Sequence, residues 1–213
     1  MPVVTDISPQ KKRTGYYNIF VDGRFAFSVS DLQLSNLHLS IGQEYSETDI
    51  TQIKDDVNIA KVYLRCLDYL SRRQRSEWEL RDYLRRKEAE QEVIERVVSR
   101  LVKENHLNDA RFADAWVNDR NMMKPRSKKQ LQAELIKKRI AKDIIAQALE
   151  AQNSEQELDN LKQIAIKKLP RYRDSNKLTA YLVGQGFNYF EVKTIVNDLM
   201  AENNELSSDT DYQ

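Results

Sequence analysis

The sequence predicts a mainly α protein: three tandem three-helix repeats in an elongated arrangement, preceded by a small β-rich N-terminal cap. Three observations predict it. Apolar residues recur at steps of three and four over most of the chain. One alternating stretch near the start is broken by Asp22-Gly23, a tight-hairpin signal. The chain also aligns with itself. Only 5 Gly and 4 Pro among 213 residues, with 40% hydrophobic and 31% charged side chains, suit helices with narrow apolar stripes.

The cap occupies residues 1–47. "VVTDIS" is a predicted strand, "YYNIFVDGRFAFSVS" a hairpin, "SDLQLSNL" a short helix capped by Ser30, and "GQEYS" a weaker fourth strand. A cap of this size is too small to be stable alone. Repeat 1 then spans 48–107, repeat 2 spans 108–152 and repeat 3 spans 153–202. A polar, acidic tail, "NNELSSDTDYQ", occupies 203–213 and is expected to be disordered.

The register of the repeats comes from aligning segments that begin at Arg75, Arg126 and Ser175. Leu80, Leu131 and Leu178 coincide, as do Leu84, Leu135 and Leu182. Further on, Ile94, Ile145 and Val192 coincide, then Val97, Ala148 and Ile195, then Val98, Leu149 and Val196. Such periodicity marks stacked helical units that bury their apolar faces partly against one another. Capping chemistry sets the helix starts. Ser76-x-x-Glu79, Ser127-x-x-Gln130 and Ser154-x-x-Glu157 read as capping boxes, and Asp174 takes the same slot without an N3 Glu or Gln. Gly184 and Gly186 mark a stop and restart in the third repeat. The first helix of each repeat shows as Ile53, Val57, Ala60, Leu64, Leu67 and Leu70; as Phe112, Trp116 and Met123 after a cap at Asn108 or Asp109; and as Leu158, Leu161, Ala165 and Leu169.

Little here suggests catalysis. A single cysteine, Cys66, excludes an internal disulfide and reads as a small buried hydrophobe. His38 and His106 are far apart and no His/Cys/Asp cluster has metal-ligand spacing, so neither a metal nor a cofactor is expected. No Gly-rich phosphate loop occurs. No apolar run approaches the roughly 18 residues of a membrane span, and no signal peptide is evident, so a cytoplasmic, non-membrane protein is expected. The chain reads as a binding protein, not an enzyme, and as a monomer.

Charge suggests where it binds. Residues 1–59 carry 5 basic and 8 acidic side chains, residues 60–150 carry 22 and 15, and residues 151–213 carry 7 and 10. The net values of −3, +7 and −3 give the overall +1 and point to a polyanion-facing surface in the middle. At 100° per residue, Leu80, Tyr83, Leu84 and Lys87 share one helix face and Trp78, Arg81 and Arg85 the opposite one. Trp78 either packs against a neighbouring repeat or anchors a partner between two arginines. Arg72, Arg73, Arg75, Arg81, Arg85 and Arg86, with Lys124, Arg126, Lys128 and Lys129, would form a basic edge across the first two repeats. Glu77–Arg81 and Asp82–Arg86 are i,i+4 pairs that spend part of that charge locally.

Two stretches have a known likeness. "HLNDARFADAW" and "LSRRQRSEWELRDYLRRK" resemble, in order and spacing, signature segments of the RecX family of recombination regulators, and Leu131–Ile140 resembles a third. The resemblance covers residues of about 60–200 and, with the N-terminal extension, is to the longer form of the family. It departs at "NMMKPRSKK" and at Arg139-Ile140, where members usually carry Gly before the apolar residue. The resemblance implies a non-enzymatic modulator that binds the filament of RecA on single-stranded DNA. Such a modulator mainly inhibits the filament's ATPase, strand-exchange and coprotease activities in recombination, repair and the SOS response. Single- or double-stranded DNA is a further partner through the basic edge. From the residues alone, a generic helical DNA-binding protein and a protein scaffold remain alternatives.

Overall fold

The computed structural model describes residues 1–150, 154–172 and 174–209, with side chains to residue 202. It is mostly helical, with one three-stranded antiparallel sheet ordered β1-β2-β3: β1 (Val4–Pro9), β2 (Tyr16–Val21) and β3 (Arg24–Ser30). The helices are α1 (Asp31–Leu37), α2 (Glu47–Ser71), α3 (Glu77–Arg86), α4 (Gln91–Lys103), α5 (Asp109–Met123), α6 (Lys128–Lys137), α7 (Lys142–Glu150), α8 (Ser154–Lys168), α9 (Ser175–Gly184) and α10 (Tyr189–Asp209). The chain forms two compact units, residues 1–73 with 84–106, and residues 74–83 with 107–213; α3 contributes to both.

In the first unit the hairpin forms as its sequence requires. Asp22 and Gly23 both take positive φ, 49° and 75°, which matches the twist of the flanking strands. Ser30 caps α1 with a complete capping box, and Ser46 does the same for α2. "GQEYS" is not a strand: Glu44 makes an isolated bridge to Val3, while Gly42 and Tyr45 donate to the carbonyls of Val4 and Pro2. Val4, Ile19, Phe27 and Val29 of the sheet bury with Leu39 and with Val57 of α2. The sheet therefore borrows part of its core from the long helix, as a small meander must. Tyr63 on α2 donates its hydroxyl to Glu104, and Arg100 lies over the Tyr63 ring at 4.2 Å, which ties α2 to α4. Cys66 is buried, and burial pushes its thiol pKa up to about 11.

The second unit holds two further apolar cores. Phe112, Ala113 and Val117 of α5 pack with Leu131, Leu135, Ile140, Ile145 and Ala148. Leu161 and Ala165 of α8 pack with Leu178, Leu182, Phe187, Val192, Ile195 and Val196. The repeat register is the register of burial: all six superposed leucines are fully buried.

Some elements differ from expectation. Leu64, read as core, is 54% exposed, and Met123 is 81% exposed. Leu64 lines a cleft between α2 and the cap, and Met123 is the last residue of α5. Ser154 is the first residue of α8, and Glu157 accepts from the Lys128 N–H. The ladder of α10 runs on to Asp209, into the segment read as tail, and residues 210–213 lie outside the described residues.

Candidate functional site

The second helix of each repeat ends in the same way. Glu88, Arg139 and Gly186 take positive φ (56°, 60° and 97°), and the next residue's N–H reaches back to Leu84, Leu135 and Leu182. This is the six-to-one bond of a left-handed helix terminus. Only the third uses the residue type with no Cβ penalty there.

These termini seat the helix starts that precede them in sequence. Ser76 caps α3 by accepting from the Glu79 N–H at 3.2 Å, and its own hydroxyl donates to the Lys138 carbonyl, 3.1 Å away at the end of α6. Ser127 caps α6 by accepting from Gln130, and donates to the Gln185 carbonyl at the end of α9, at 2.6 Å. Each joint adds an acid from the following repeat. Asp109 accepts from the Glu77 N–H (2.7 Å), and Glu157 accepts from the Lys128 N–H (3.3 Å). Exposed amides and the helix dipole both favour a carboxylate there. Burial holds the Asp109 carboxyl above its ordinary range; the Glu77 amide works against that, and the Glu77 and Glu79 charges add to it.

The third contact differs. Glu79 completes the capping box and pairs with the Lys138 ammonium at 2.6 Å. Gln130 abandons its box, and its Nε2 donates to Gln185 Oε1 at 2.6 Å. Beside the first joint, Glu134 collects Trp116 Nε1 and Arg120 Nε, each at 2.8 Å, and Arg126 Nε at 3.5 Å. Arg120 and Lys138 lie 4.3 and 5.1 Å from the Trp116 ring centroid. Burial pushes the Glu134 carboxyl up, but Arg120 and Trp116, with the Arg126 charge, outweigh it and hold the carboxyl below its ordinary value. Glu134 is not among the site residues expected from the sequence. The Trp116–Arg120 pair, four residues apart on α5, was the available sign of an acidic partner.

These joints divide the candidate binding residues. In the second unit, Arg81 is half-buried and paired with Glu77 at 2.7 Å, the expected i,i+4 contact. Arg126 pairs with Glu134 and Lys128 with Glu157, at 3.9 Å for the latter. Arg75 is half-buried, whereas Lys124 and Lys129 are exposed. Trp78 keeps 38% of its surface exposed on α3, while Leu80 on the opposite face is fully buried. In the first unit, Arg72 pairs with Asp68 at the surface, and Arg73, Arg85 and Arg86 are exposed. Arg85, Lys124 and Lys129 make no ion pair among the described residues. Among those residues no His/Cys/Asp/Glu cluster has the arrangement of a metal site, and no helix is long and apolar enough to cross a membrane.

Three family models match the chain: the regulatory protein RecX N-terminal domain at residues 2–46, the first three-helix domain of RecX at 63–101 and the second at 108–149. The regulatory protein RecX of Bacillus subtilis (strain 168) is 34% identical over 211 residues, spanning 96% of this chain and 80% of the relative. That of Listeria monocytogenes serotype 4b (strain F2365) is 33% identical over 93% of this chain and 76% of the relative. A crystal structure of regulatory protein RecX superposes with a TM-score of 0.76 at 28% identity, covering 93% of this chain and all of that one. The structure of RecX from Lactobacillus salivarius gives 0.60 at 27% identity, over 66% of this chain and 96% of that one.

Proposed function

Since the chain belongs to the RecX family of regulatory proteins, we propose that it binds the RecA filament on single-stranded DNA and restrains its ATPase, strand-exchange and coprotease activities. The observation that carries this reading is the division of the cations. Arg81, Arg126 and Lys128 each neutralise a carboxylate of the fold, whereas Arg85, Lys124 and Lys129 are exposed with no ion pair among the described residues. Exposed cations that the fold does not use are available to an acidic protein surface or to phosphates. Trp78 supplies the aromatic that interface anchors favour.

The test is the RecA ATPase rate on single-stranded DNA with the protein present substoichiometrically; inhibition is expected. Reversing Arg85 and Lys129 together should weaken it about tenfold or more, since each desolvated charge-assisted contact is worth about 1.5–3 kcal/mol. Arg81 is left intact in this variant, because a glutamate there would face Glu77. Reversing Lys162 and Lys193, exposed in the third repeat, should do much less. Equal losses from both pairs, with circular dichroism unchanged, would remove the first two repeats as the binding surface.

A further inference from the structure

The first unit holds a cleft lined by cations alone among charged groups. Its volume is about 490 Å3, and Gln10, Arg13, Tyr16, Ser28 and Gln33 of the β-rich cap line it opposite Val57, Lys61, Leu64 and Arg65 of α2. The four α2 residues fall at steps of four, three and one, which places them on one helix face. No carboxylate is among the lining residues. Lys61 and Arg65 are exposed and make no ion pair among the described residues. Arg13 donates to the Tyr16 hydroxyl at 2.9 Å and lies over its ring at 3.6 Å, so its planar guanidinium is held at the rim.

The neutral groups are half-committed. Gln10 spends its amide hydrogens on Asn18 (2.8 Å) and Ser28 (3.0 Å), which leaves its Oε1 as an acceptor. Gln33 Oε1 accepts from the Ser30 amide and hydroxyl, which leaves its Nε2 as a donor. Val57 and Leu64 give an apolar wall, and this is where Leu64, expected in the core, stands exposed.

We infer that this cleft takes one nucleotide unit of a single-stranded nucleic acid. Lys61 and Arg65 meet the phosphate, Leu64 and the Arg13–Tyr16 stack meet the base face, and Gln10 and Gln33 meet its edge. The volume lies within the range of small-ligand sites and admits one nucleotide. Phosphate attraction and base stacking on an aromatic or guanidinium plane are the two general sources of single-strand affinity. An acidic peptide would use the cations and leave the stack and the amides idle. The inference does not depend on RecA.

The experiment is fluorescence anisotropy of a labelled single-stranded oligonucleotide with the full chain, RecA absent, at about 50 and 200 mM salt. Lys61→Glu with Arg65→Glu should weaken binding about tenfold or more. It should also reduce the log–log salt slope by about 0.7, the value for one phosphate no longer neutralised. Lys61→Arg with Arg65→Lys should retain binding. Arg24→Glu with Lys103→Glu, exposed elsewhere in the same unit, should leave it nearly unchanged. A strand abasic throughout should bind several-fold more weakly than the intact one. Equal loss from the two reversed pairs, equal binding of the abasic strand, or equal competition by a poly-glutamate peptide or a free mononucleotide would each overturn the assignment.

Discussion

The joint between α3 and α6 and the joint between α6 and α9 are built on one plan with different chemistry. In both, a capping serine donates to a carbonyl at the end of the next repeat's second helix, and an acid from that repeat's first helix meets the N1 amide. The first joint adds a Glu79–Lys138 ion pair, next to the Glu134 cluster. The second adds a neutral contact between Gln130 and Gln185, with Gly186 pressed against Ser127 and Lys129. Helix-end chemistry is the same need met twice; the surrounding charge is local choice. The ionic joint is costly to break at one partner, because a half-buried charge is then left behind. The neutral joint instead depends on close approach.

The largest expected effect tests the shared plan. Leu131→Ala empties a fully buried position in the repeat core and should cost about 2–5 kcal/mol by chemical denaturation. An unchanged midpoint would mean that the repeat register does not describe the packing. Next comes the ionic joint: Glu79→Ala removes both a capping-box member and the partner of Lys138, and should cost about 2–3 kcal/mol. At the neutral joint, Gln130→Ala should cost about 1 kcal/mol or less, the net worth of one ordinary hydrogen bond. Equal losses from these two variants would erase the distinction between the joints.

Gly186→Ala attacks the second joint by shape. A Cβ there would lie 2.9 Å from Lys129 Cβ and 3.0 Å from Ser127 Oγ, at a φ of +97°. We expect a loss of about 2 kcal/mol, combining left-handed strain with displacement of the cap. The smallest effect reverses the sign at the equivalent position. Arg139→Gly relieves a non-glycine left-handed residue and should raise stability by about 0.5–1 kcal/mol.

Acid titration separates the groups of the first joint. Glu134 is held below its ordinary 4.5, so its contribution is present above that value and is lost as pH falls through its folded pKa. Asp109 is held above its ordinary 3.8, so its contribution is full below that value and is lost as pH rises through its folded pKa. Urea midpoints measured from about pH 3 to 7 should lose part of their acid-side decline in Glu134→Gln, and the opposing trend in Asp109→Asn.

Much of this protein is written in local patterns. The hairpin at Asp22-Gly23, the caps at Ser30, Ser76, Asn108, Ser127 and Asp174, and the threefold leucine register all form as their spacing requires. These signals act over two to four residues, where the partner of each backbone amide is already set by the helix or turn itself. The sequence by itself therefore determined the elements, their register and the family likeness. Only the tertiary structure decided that the Ser76 and Ser127 hydroxyls reach carbonyls 62 and 58 residues away, and that Gln130 leaves its capping box. It also decided that Arg81, Arg126 and Lys128 are spent on carboxylates, and that Arg13 of the cap lines one cleft with Lys61 and Arg65 of α2. The reason is physical: hydrogen bonds and ion pairs act over a few ångströms, and distance along the chain says nothing of that separation until the helices are packed.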